Sequence, residues 1–368
     1  MEDKELNLTD EAYEKWADQM NALANGFPRT ESGVEIKILK KISPPEEAWL
    51  VSQLGHSLES AEDISARIGL PVKEVKQRLE TAAHHGTVSV NDSKGFDRYQ
   101  LIPFIPGLLE SSTHSQDQEF ALLYEQYMML RGTQGILGAT PPIQRVMPAY
   151  QALNTESVLP YEDVRALLLE AKDFWIIDCA CRIEQDLIGN RKCDFPVKNC
   201  IQFTKEGESS RSFDFNNCGE SLERISQEEA LAILDEAEEI GLVHTVHNNA
   251  KALGYICNCC GCCCVTLRPI NEHGINSVLK ANYYAEIKPE ECTACEICID
   301  RCQIGAISMK EDVAIVDLDQ CIGCGLCVTG CSSDAAYLHK KPDAQLVHPP
   351  ADFSAWEKER LLNRTSRK

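Results

Sequence analysis

Long apolar runs are missing from this sequence of 368 residues. No segment approaches the roughly 18 consecutive apolar residues of a membrane-spanning helix, so we expect no membrane span. The first residues, MEDKELNLTDEAYEKW, are acidic and have no apolar stretch, which predicts that no secretory signal is present. Without export, the 19 cysteines predict metal-binding thiols in a reducing cytoplasm rather than disulfides.

Positive charge is also scarce, with 36 Lys and Arg against 57 Asp and Glu and a net charge of −21. Phosphate binding needs clustered Lys and Arg, so this balance disfavours nucleic acid as a partner. It favours docking to a basic patch on a redox partner protein. The GTQGILG stretch at 132–138 lacks the Lys-Ser/Thr of a phosphate loop, and no GxGxxG follows a strand. No ATP, NAD or flavin site is therefore predicted, and any small-molecule substrate stays undefined.

The cysteines that are present form a repeated pattern near the C-terminus. CTACEICIDRC and CIGCGLCVTGC each read C-x2-C-x2-C-x3-C. Packing does not require a thiol at every third position, whereas an iron–sulfur cluster takes three close thiolates and a fourth from farther away. Zinc needs only four ligands, usually as paired CxxC, and disulfides need an oxidising compartment. The doubled run therefore predicts two [4Fe-4S] clusters.

Residues 284–340, which contain both runs, resemble bacterial-type dicluster ferredoxins. The resemblance implies that the fourth cysteine of each run serves the other run's cluster. The first cluster would be held by Cys292, Cys295, Cys298 and Cys331. The second would be held by Cys321, Cys324, Cys327 and Cys302. The chain departs from that family at Ala294, where Gly is common, and at Gln303 and Ser332, where Pro usually follows the fourth cysteine.

Eleven cysteines lie outside these runs. Cys218 stands alone and is interpreted as a packing residue. Ten others are candidate ligands of an additional centre: Cys179, Cys181, Cys193, Cys200, Cys257, Cys259, Cys260, Cys262, Cys263 and Cys264. The first four have the count of one metal centre, or the two groups pool ligands around one or two clusters. A further iron–sulfur cluster, zinc and a redox-active disulfide remain alternatives, because four thiolates also suit a tetrahedral zinc ion.

The N-terminal third has no cysteine, and its pattern is different. Residues 43–102 resemble winged helix-turn-helix domains, with a helix after Ser60, a second helix over 71–85 and a hairpin from Val88 to Leu101. In a DNA-binding domain, Lys73, Lys76 and Arg78 would contact phosphates. However, residues 1–110 contain 19 acidic and 12 basic side chains, which favours a protein-docking role.

Together these patterns predict a multidomain α+β protein. The expected segments are a winged-helix-like domain at 1–110, a helical connector at 111–173, a mixed cysteine-rich domain at 174–282, the ferredoxin-like dicluster domain at 283–341 and a tail at 342–368. The whole order resembles multi-cysteine 4Fe-4S binding proteins of anaerobic bacteria. That resemblance implies an architecture more than a mechanism.

Three functions follow from this organisation. The first is a cytoplasmic electron carrier, or a subunit of an oxidoreductase system, that exchanges electrons with a redox partner. The second is a redox-sensing transcriptional regulator that uses the winged-helix-like domain. The third is an iron–sulfur oxidoreductase component in which CNCCGCCC builds a catalytic cluster.

Overall fold

The computed structural model describes residues 2–92, 95–112, 116–153, 158–208, 222–251 and 254–365, with side chains from residue 10 onward. Helices and strands are mixed, in agreement with the α+β prediction. The helices are α1 (Glu2–Ala22), α2 (Val34–Ile42), α3 (Pro45–Val51), α4 (Ala61–Ile68), α5 (Val72–His84), α6 (Leu109–Ser111), α7 (Gln118–Tyr127), α8 (Val164–Leu169), α9 (Ala180–Leu187), α10 (Gln227–Ile240), α11 (Arg268–His273), α12 (Ile297–Asp300), α13 (Leu326–Thr329) and α14 (Phe353–Thr365). No helix among these residues is long and apolar enough to cross a membrane.

The strands are short, and most lie in the second half of the chain. They are β1 (Glu59–Ser60), β2 (Val88–Asn91), β3 (Arg98–Leu101), β4 (Gln144–Met147), β5 (Ala171–Asp178), β6 (Lys198–Lys205), β7 (Glu223–Ile225), β8 (Val243–His247), β9 (Tyr255–Cys259), β10 (Val278–Leu279), β11 (Tyr283–Ile287), β12 (Ile307–Lys310), β13 (Val313–Val316) and β14 (Ala336–Lys340).

The chain forms two compact units. The first contains Met1–Ile136, Asp178–Asn190 and Glu206–Glu223. The second contains Leu137–Ile177, Arg191–Lys205 and Arg224–Lys368. The division into five segments stays a prediction.

The first unit is mainly helical and includes the region with winged-helix resemblance. Ser60 caps α4, because its hydroxyl accepts from the backbone N–H of Asp63 while the Asp63 carboxylate accepts from Ser60. Gly69 ends α4 in the left-handed conformation that glycine adopts without steric cost. Val75, Leu79 and Ala82 form the buried side of α5. Strands β2 and β3 then pair as the predicted hairpin, and β1 joins β3 in a sheet of order β1-β3-β2.

The second unit is built on a seven-stranded sheet of order β10-β4-β8-β9-β6-β5-β7. Strand β8 runs antiparallel to both β4 and β9, and β9 runs antiparallel to β6. Side chains alternate between the faces of a strand, so the sheet separates two sets of residues. Helices α8 and α10 contribute to the core on one face, which contains Met147, Phe174, Ile201, Phe203, Val246 and Ile256. The other face contributes Val146, Val243, Cys257 and Cys259 to a different core.

The region of the two cysteine runs has internal symmetry. Strands β11 and β14 pair over five residues, and β12 and β13 pair over four. Each run consists of a loop followed by a one-turn helix, α12 in the first run and α13 in the second. The second core of the sheet extends into this region, because Ile304, Ile322 and Leu326 belong to the same buried cluster as Cys259. The runs and the sheet therefore share one interior.

Candidate iron–sulfur and metal sites

The loops of the two cysteine runs have the same backbone shape. The second and fourth residues after the first cysteine are left-handed in both runs, with φ of 54° at Ala294, 62° at Glu296, 72° at Gly323 and 78° at Gly325. The shape turns three successive thiols toward one point. Ala294 and Glu296 adopt it despite the steric cost that a side chain brings, about 1–2 kcal/mol per residue.

Four cysteines line one cavity beside the first run. They are Cys292, Cys295, Cys298 and Cys331. Burial raises the pKa of the Cys298 thiol, and the charges of the other three cysteines raise it further. Cys295 is exposed, and the other three are half-buried. Thiolates placed this close repel one another in the absence of a cation, so their grouping fits a cluster that carries positive metal ions.

A second set of four cysteines lies deeper. Burial raises the pKa of Cys327 well above its ordinary value, and Cys324, Cys321 and Cys302 act in the same direction. Burial likewise raises the pKa of Cys324 to about 12. The donor set is therefore four crowded sulfurs that a metal cluster would hold as thiolates.

The fourth cysteine of each run accepts a backbone hydrogen bond. The N–H of Ala306 donates to Cys302 Sγ at 3.2 Å, and the N–H of Ala336 donates to Cys331 Sγ at 3.4 Å. Burial acts to raise the pKa of Cys331, but the bond from Ala336 and those from Ser333 outweigh it and lower the pKa. Such bonds to sulfur favour the thiolate and set the potential of a bound cluster.

Tight contacts fix the second run to its surroundings. The N–H of Ala149 donates to Cys324 O at 2.8 Å, and that of Ala281 donates to Ile322 O at 3.0 Å. A Cβ atom at Gly323 would lie 2.3 Å from Tyr283 O, and one at Gly325 would lie 2.7 Å from the Cβ of Ala152. Glycine is therefore required there both for its φ angle and for space.

Gln303, one of the departures from the ferredoxin pattern, links the first run to the middle region. Its Oε1 accepts from the N–H of Gly261 at 2.8 Å, and its Nε2 donates to Gly241 O at 2.9 Å. Asn271 Nδ2 donates to both Gly261 O and Gln303 O. A Cβ at Gly261 would lie 1.8 Å from Gln303 O. Proline at 303 would lack these side-chain bonds.

Arg301 adds a second link. Its guanidinium donates to Leu326 O, Glu239 O and Glu238 O at 2.6–2.7 Å and to Thr329 Oγ1 at 2.8 Å. The last turn of α10 is thereby joined to both runs. The sequence patterns did not indicate a role for Arg301. For Gln303 the only indication in the sequence was that it replaces the Pro typical of dicluster ferredoxins.

Four cysteines of the middle region form a compact group: Cys193, Cys260, Cys262 and Cys263. All four sulfurs lie within 4.8 Å of one another. Cys193 Sγ is 3.9 Å from Cys260 Sγ and 3.8 Å from Cys263 Sγ, and the sulfurs of Cys262 and Cys263 are 3.6 Å apart. Burial raises the pKa of Cys262 to about 12. Hydrogen bonding to Cys260, together with burial, raises the pKa of Cys263.

A tetrahedral ion with four sulfurs at about 2.3 Å places those sulfurs about 3.8 Å apart. Three of the six separations in the compact group are 3.6–3.9 Å and match that value, and all six are within 4.8 Å. The eight cysteines of the two runs form no group of this compactness among the described residues. The compact group therefore has the geometry of a site for one ion.

The other middle-region cysteines are placed differently. Cys200, Cys257, Cys259 and Cys264 contact one another in the second unit. Cys179 and Cys181 lie in the first unit, where Cys179 is the N-cap of α9. The predicted four-cysteine centre made of Cys179, Cys181, Cys193 and Cys200 thus draws its residues from both units, and Cys193 and Cys200 belong to two different groups. Cys218 lies outside the described residues.

Comparison with known proteins agrees with the C-terminal assignment. A family model described as a 4Fe-4S dicluster domain matches residues 291–336, a range that contains all eight cysteines of the two runs. No curated protein and no solved structure matches the chain significantly. The match shows that this chain has an iron–sulfur domain at its C-terminus.

Proposed function

We propose that this protein is an electron-transfer protein with two [4Fe-4S] clusters in its C-terminal domain. The observation that carries the proposal is the cavity shared by Cys331 and the first three cysteines of the first run. It supports the crossed arrangement, with Cys292, Cys295, Cys298 and Cys331 on one cluster. Cys302 would then join Cys321, Cys324 and Cys327 on the other. Four-iron clusters exchange one electron at a time.

The residues of this domain would govern how electrons enter and leave. Cys295 is exposed and Ile297 is 40% exposed, which leaves one side of the first site open to solvent. Glu290, Glu291 and Asp300 are exposed nearby. This acidic surface would dock a redox partner protein with a basic patch. The deeper site is shielded, so the outer one would exchange electrons with that partner.

The compact group would hold one tetrahedral metal ion, zinc or iron, as an additional centre. Its support is the match of the sulfur separations to a single ion with four thiolate ligands. Zinc there would be structural, because four cysteines leave no open position for a substrate.

The winged-helix-like region would dock a protein. Its order α4, α5, β2, β3 with β1 in the sheet supports the winged-helix interpretation. The regulator alternative has one observation in its favour, the exposed Lys73, Lys76 and Arg78 on α5. Arg78 is paired with Glu74 at 2.8 Å, which reduces the positive charge available to phosphate. Binding of promoter DNA that is lost on cluster oxidation would favour regulation.

The test of electron transfer uses the full chain, purified without oxygen. The reduced protein should transfer single electrons to a basic one-electron acceptor such as cytochrome c. The Cys331→Ala and Cys302→Ala variants should each lose about four irons, and each should retain the cluster of the other set. Iron-loaded protein that cannot be reduced and reoxidised would overturn the proposal.

A further inference from the structure

The strand group, defined as Cys200, Cys257, Cys259 and Cys264, is assembled by the sheet. Strands β6 and β9 pair with Ile201 opposite Ile256, so the next pair in register is Cys200 opposite Cys257. Cys259 lies two residues further along β9, on the same face as Cys257. That face is the one without α8 and α10. The sheet therefore presents three thiols side by side.

A buried amide contacts one sulfur of this group and two threonine hydroxyls. Gln144 Nε2 lies 3.8 Å from Cys257 Sγ as donor. Gln144 Oε1 accepts from the hydroxyl of Thr245 at 3.3 Å and from that of Thr266 at 2.9 Å. Only 6% of Gln144 is exposed, and the two threonines are at most 1% exposed. A buried network of this kind is stable only when its members have partners.

The two threonine hydroxyls lie beside two further sulfurs of the group. Thr245 Oγ1 is 3.5 Å from Cys259 Sγ, and Thr266 Oγ1 is 3.2 Å from Cys264 Sγ. Cysteines that only fill space contact apolar groups, whereas Cys257, Cys259 and Cys264 each have a side-chain hydrogen-bonding partner besides cysteine. Gln144 Nε2 is the donor that this network directs at sulfur. Each threonine hydroxyl has one proton, which it donates to Gln144 Oε1, and it would have to rotate to donate to an ionised sulfur instead. Polar donors around thiolates are the typical surroundings of a metal–sulfur centre.

The sulfurs of the strand group lie in the protein interior. Cys200, Cys259 and Cys264 are buried, and Cys257 is half-buried. Four such sulfurs can all be ionised only around a cation.

Sulfur contacts set the condition for a cluster in the strand group. Cys257 contacts Cys200 and Cys259, and Cys259 also contacts Cys264. A multinuclear cluster between these sulfurs requires the four side chains to turn apart, whereas the compact group already has the spacing of one ion.

The location points the same way. Cys257, Cys259 and Cys264 belong to the buried core that also contains Cys302, Cys321 and Cys324. The strand group and the second run therefore lie in the same apolar interior, an arrangement that suits electron exchange between a cluster at each.

We propose that Cys200, Cys257, Cys259 and Cys264 hold a third iron–sulfur cluster, with Gln144, Thr245 and Thr266 as its hydrogen-bonding shell. If the electron-transfer function holds, this cluster is the inner end of the path that leaves through the first run. The binding of the cluster itself does not depend on that function.

The first experiment compares metal and sulfide content in three double variants of the full chain. Cys257→Ala with Cys259→Ala should remove about two to four irons and as many sulfides and leave zinc unchanged. Cys260→Ala with Cys263→Ala should remove one metal ion and no sulfide. Cys292→Ala with Cys295→Ala should remove the outer cluster only. Unchanged sulfide in the first variant, or loss of zinc instead of iron, overturns the third cluster.

The second experiment leaves the ligands intact, so that misfolding cannot imitate the result. Gln144→Leu and Thr266→Val should each make the reduction potential of one cluster more negative, because fewer hydrogen bonds then reach its sulfurs. The EPR signal of the same cluster should change as well. The two signals of the dicluster domain should not move. If neither variant shifts any signal, or if both shift only the dicluster signals, the assignment of this shell is wrong. If the dicluster domain of these variants can still be reduced, the electron-transfer proposal stands even where the assignment of this shell fails.

Discussion

The two cysteine runs share a spacing and a loop shape but differ in their surroundings. In the first run the left-handed positions are Ala294 and Glu296, and the loop is largely exposed. In the second run they are Gly323 and Gly325, both enclosed by neighbouring residues. The conformation alone does not demand glycine in this fold, because the first run adopts it with side chains. Close packing makes glycine necessary in the second run. Glycine at these two positions therefore indicates that the second run is the one that lies inside the protein.

The sharpest test of this difference is a matched pair of substitutions. Gly323→Ala adds a Cβ that lies 2.3 Å from a backbone oxygen at a left-handed position, so we expect a loss of about 2–5 kcal/mol of stability. Ala294→Gly, the reverse change in the first run, should alter stability by less than about 1 kcal/mol. Chemical denaturation of the anaerobic protein measures both. Equal effects would mean that packing does not distinguish the runs.

Arg301 gives the next largest expected effect. Arg301→Met keeps much of the apolar contact but removes bonds to three carbonyl oxygens and to Thr329, and should cost about 2–3 kcal/mol. Thr329→Val removes one of these bonds together with the bond from Thr329 Oγ1 to Leu326 O, and should cost about 1–2 kcal/mol. Thermal unfolding followed at the cluster absorbance provides the comparison. An Arg301→Met variant as stable as Thr329→Val would show that the link to α10 contributes little.

The two positions that follow the fourth cysteines offer a paired replacement by proline. Gln303→Pro restores the residue typical of dicluster ferredoxins but loses the bonds to Gly261 and Gly241, so we expect a cost of about 1–2 kcal/mol. We expect weaker metal retention by the compact group as well, measured by competition with a chelator. Ser332→Pro is the control in the second run and should leave that retention unchanged. Equal loss in both variants would argue against a role for Gln303.

The smallest expected effect concerns the docking surface. Glu290→Gln with Asp300→Asn removes two charges beside the outer run and should slow electron transfer to cytochrome c several-fold at low salt. The difference should disappear at high ionic strength, because salt screens exposed charges. Glu357→Gln with Glu359→Gln on α14 removes the same charge elsewhere. Stopped-flow rates that fall equally in both variants would place docking away from the first run.

The sequence was most informative where ligands lie close together along the chain. The doubled C-x2-C-x2-C-x3-C pattern predicted the iron–sulfur domain, since each loop carries three of its own thiols. The capping residue Ser60, Gly69 and the β2–β3 hairpin were also predictable, because their signals are local. The sequence did not separate the compact group from the strand group.

The reason for that failure is long-range pairing. Cys200 belongs with Cys257 because β6 lies beside β9, and no local pattern encodes which strands become neighbours. Gln144 is more than a hundred residues from the sulfur that it contacts. Closeness in sequence predicts Cys193 and Cys200 in one centre, whereas the structure places Cys193 with Cys260, Cys262 and Cys263 and places Cys200 beside Cys257.

The length of the stretch from Cys257 to Cys264 is constrained because it contributes to two groups of cysteines at once. It supplies three thiols to each of two neighbouring groups, and Gly261 between them leaves no room for a side chain. Cys257 and Cys259 share one face of β9, and the other four thiols follow in a turn, so the insertion or deletion of a single residue would displace thiols of both groups. Neither group can gain or lose a residue in this stretch without altering the other, so the two must change together or not at all.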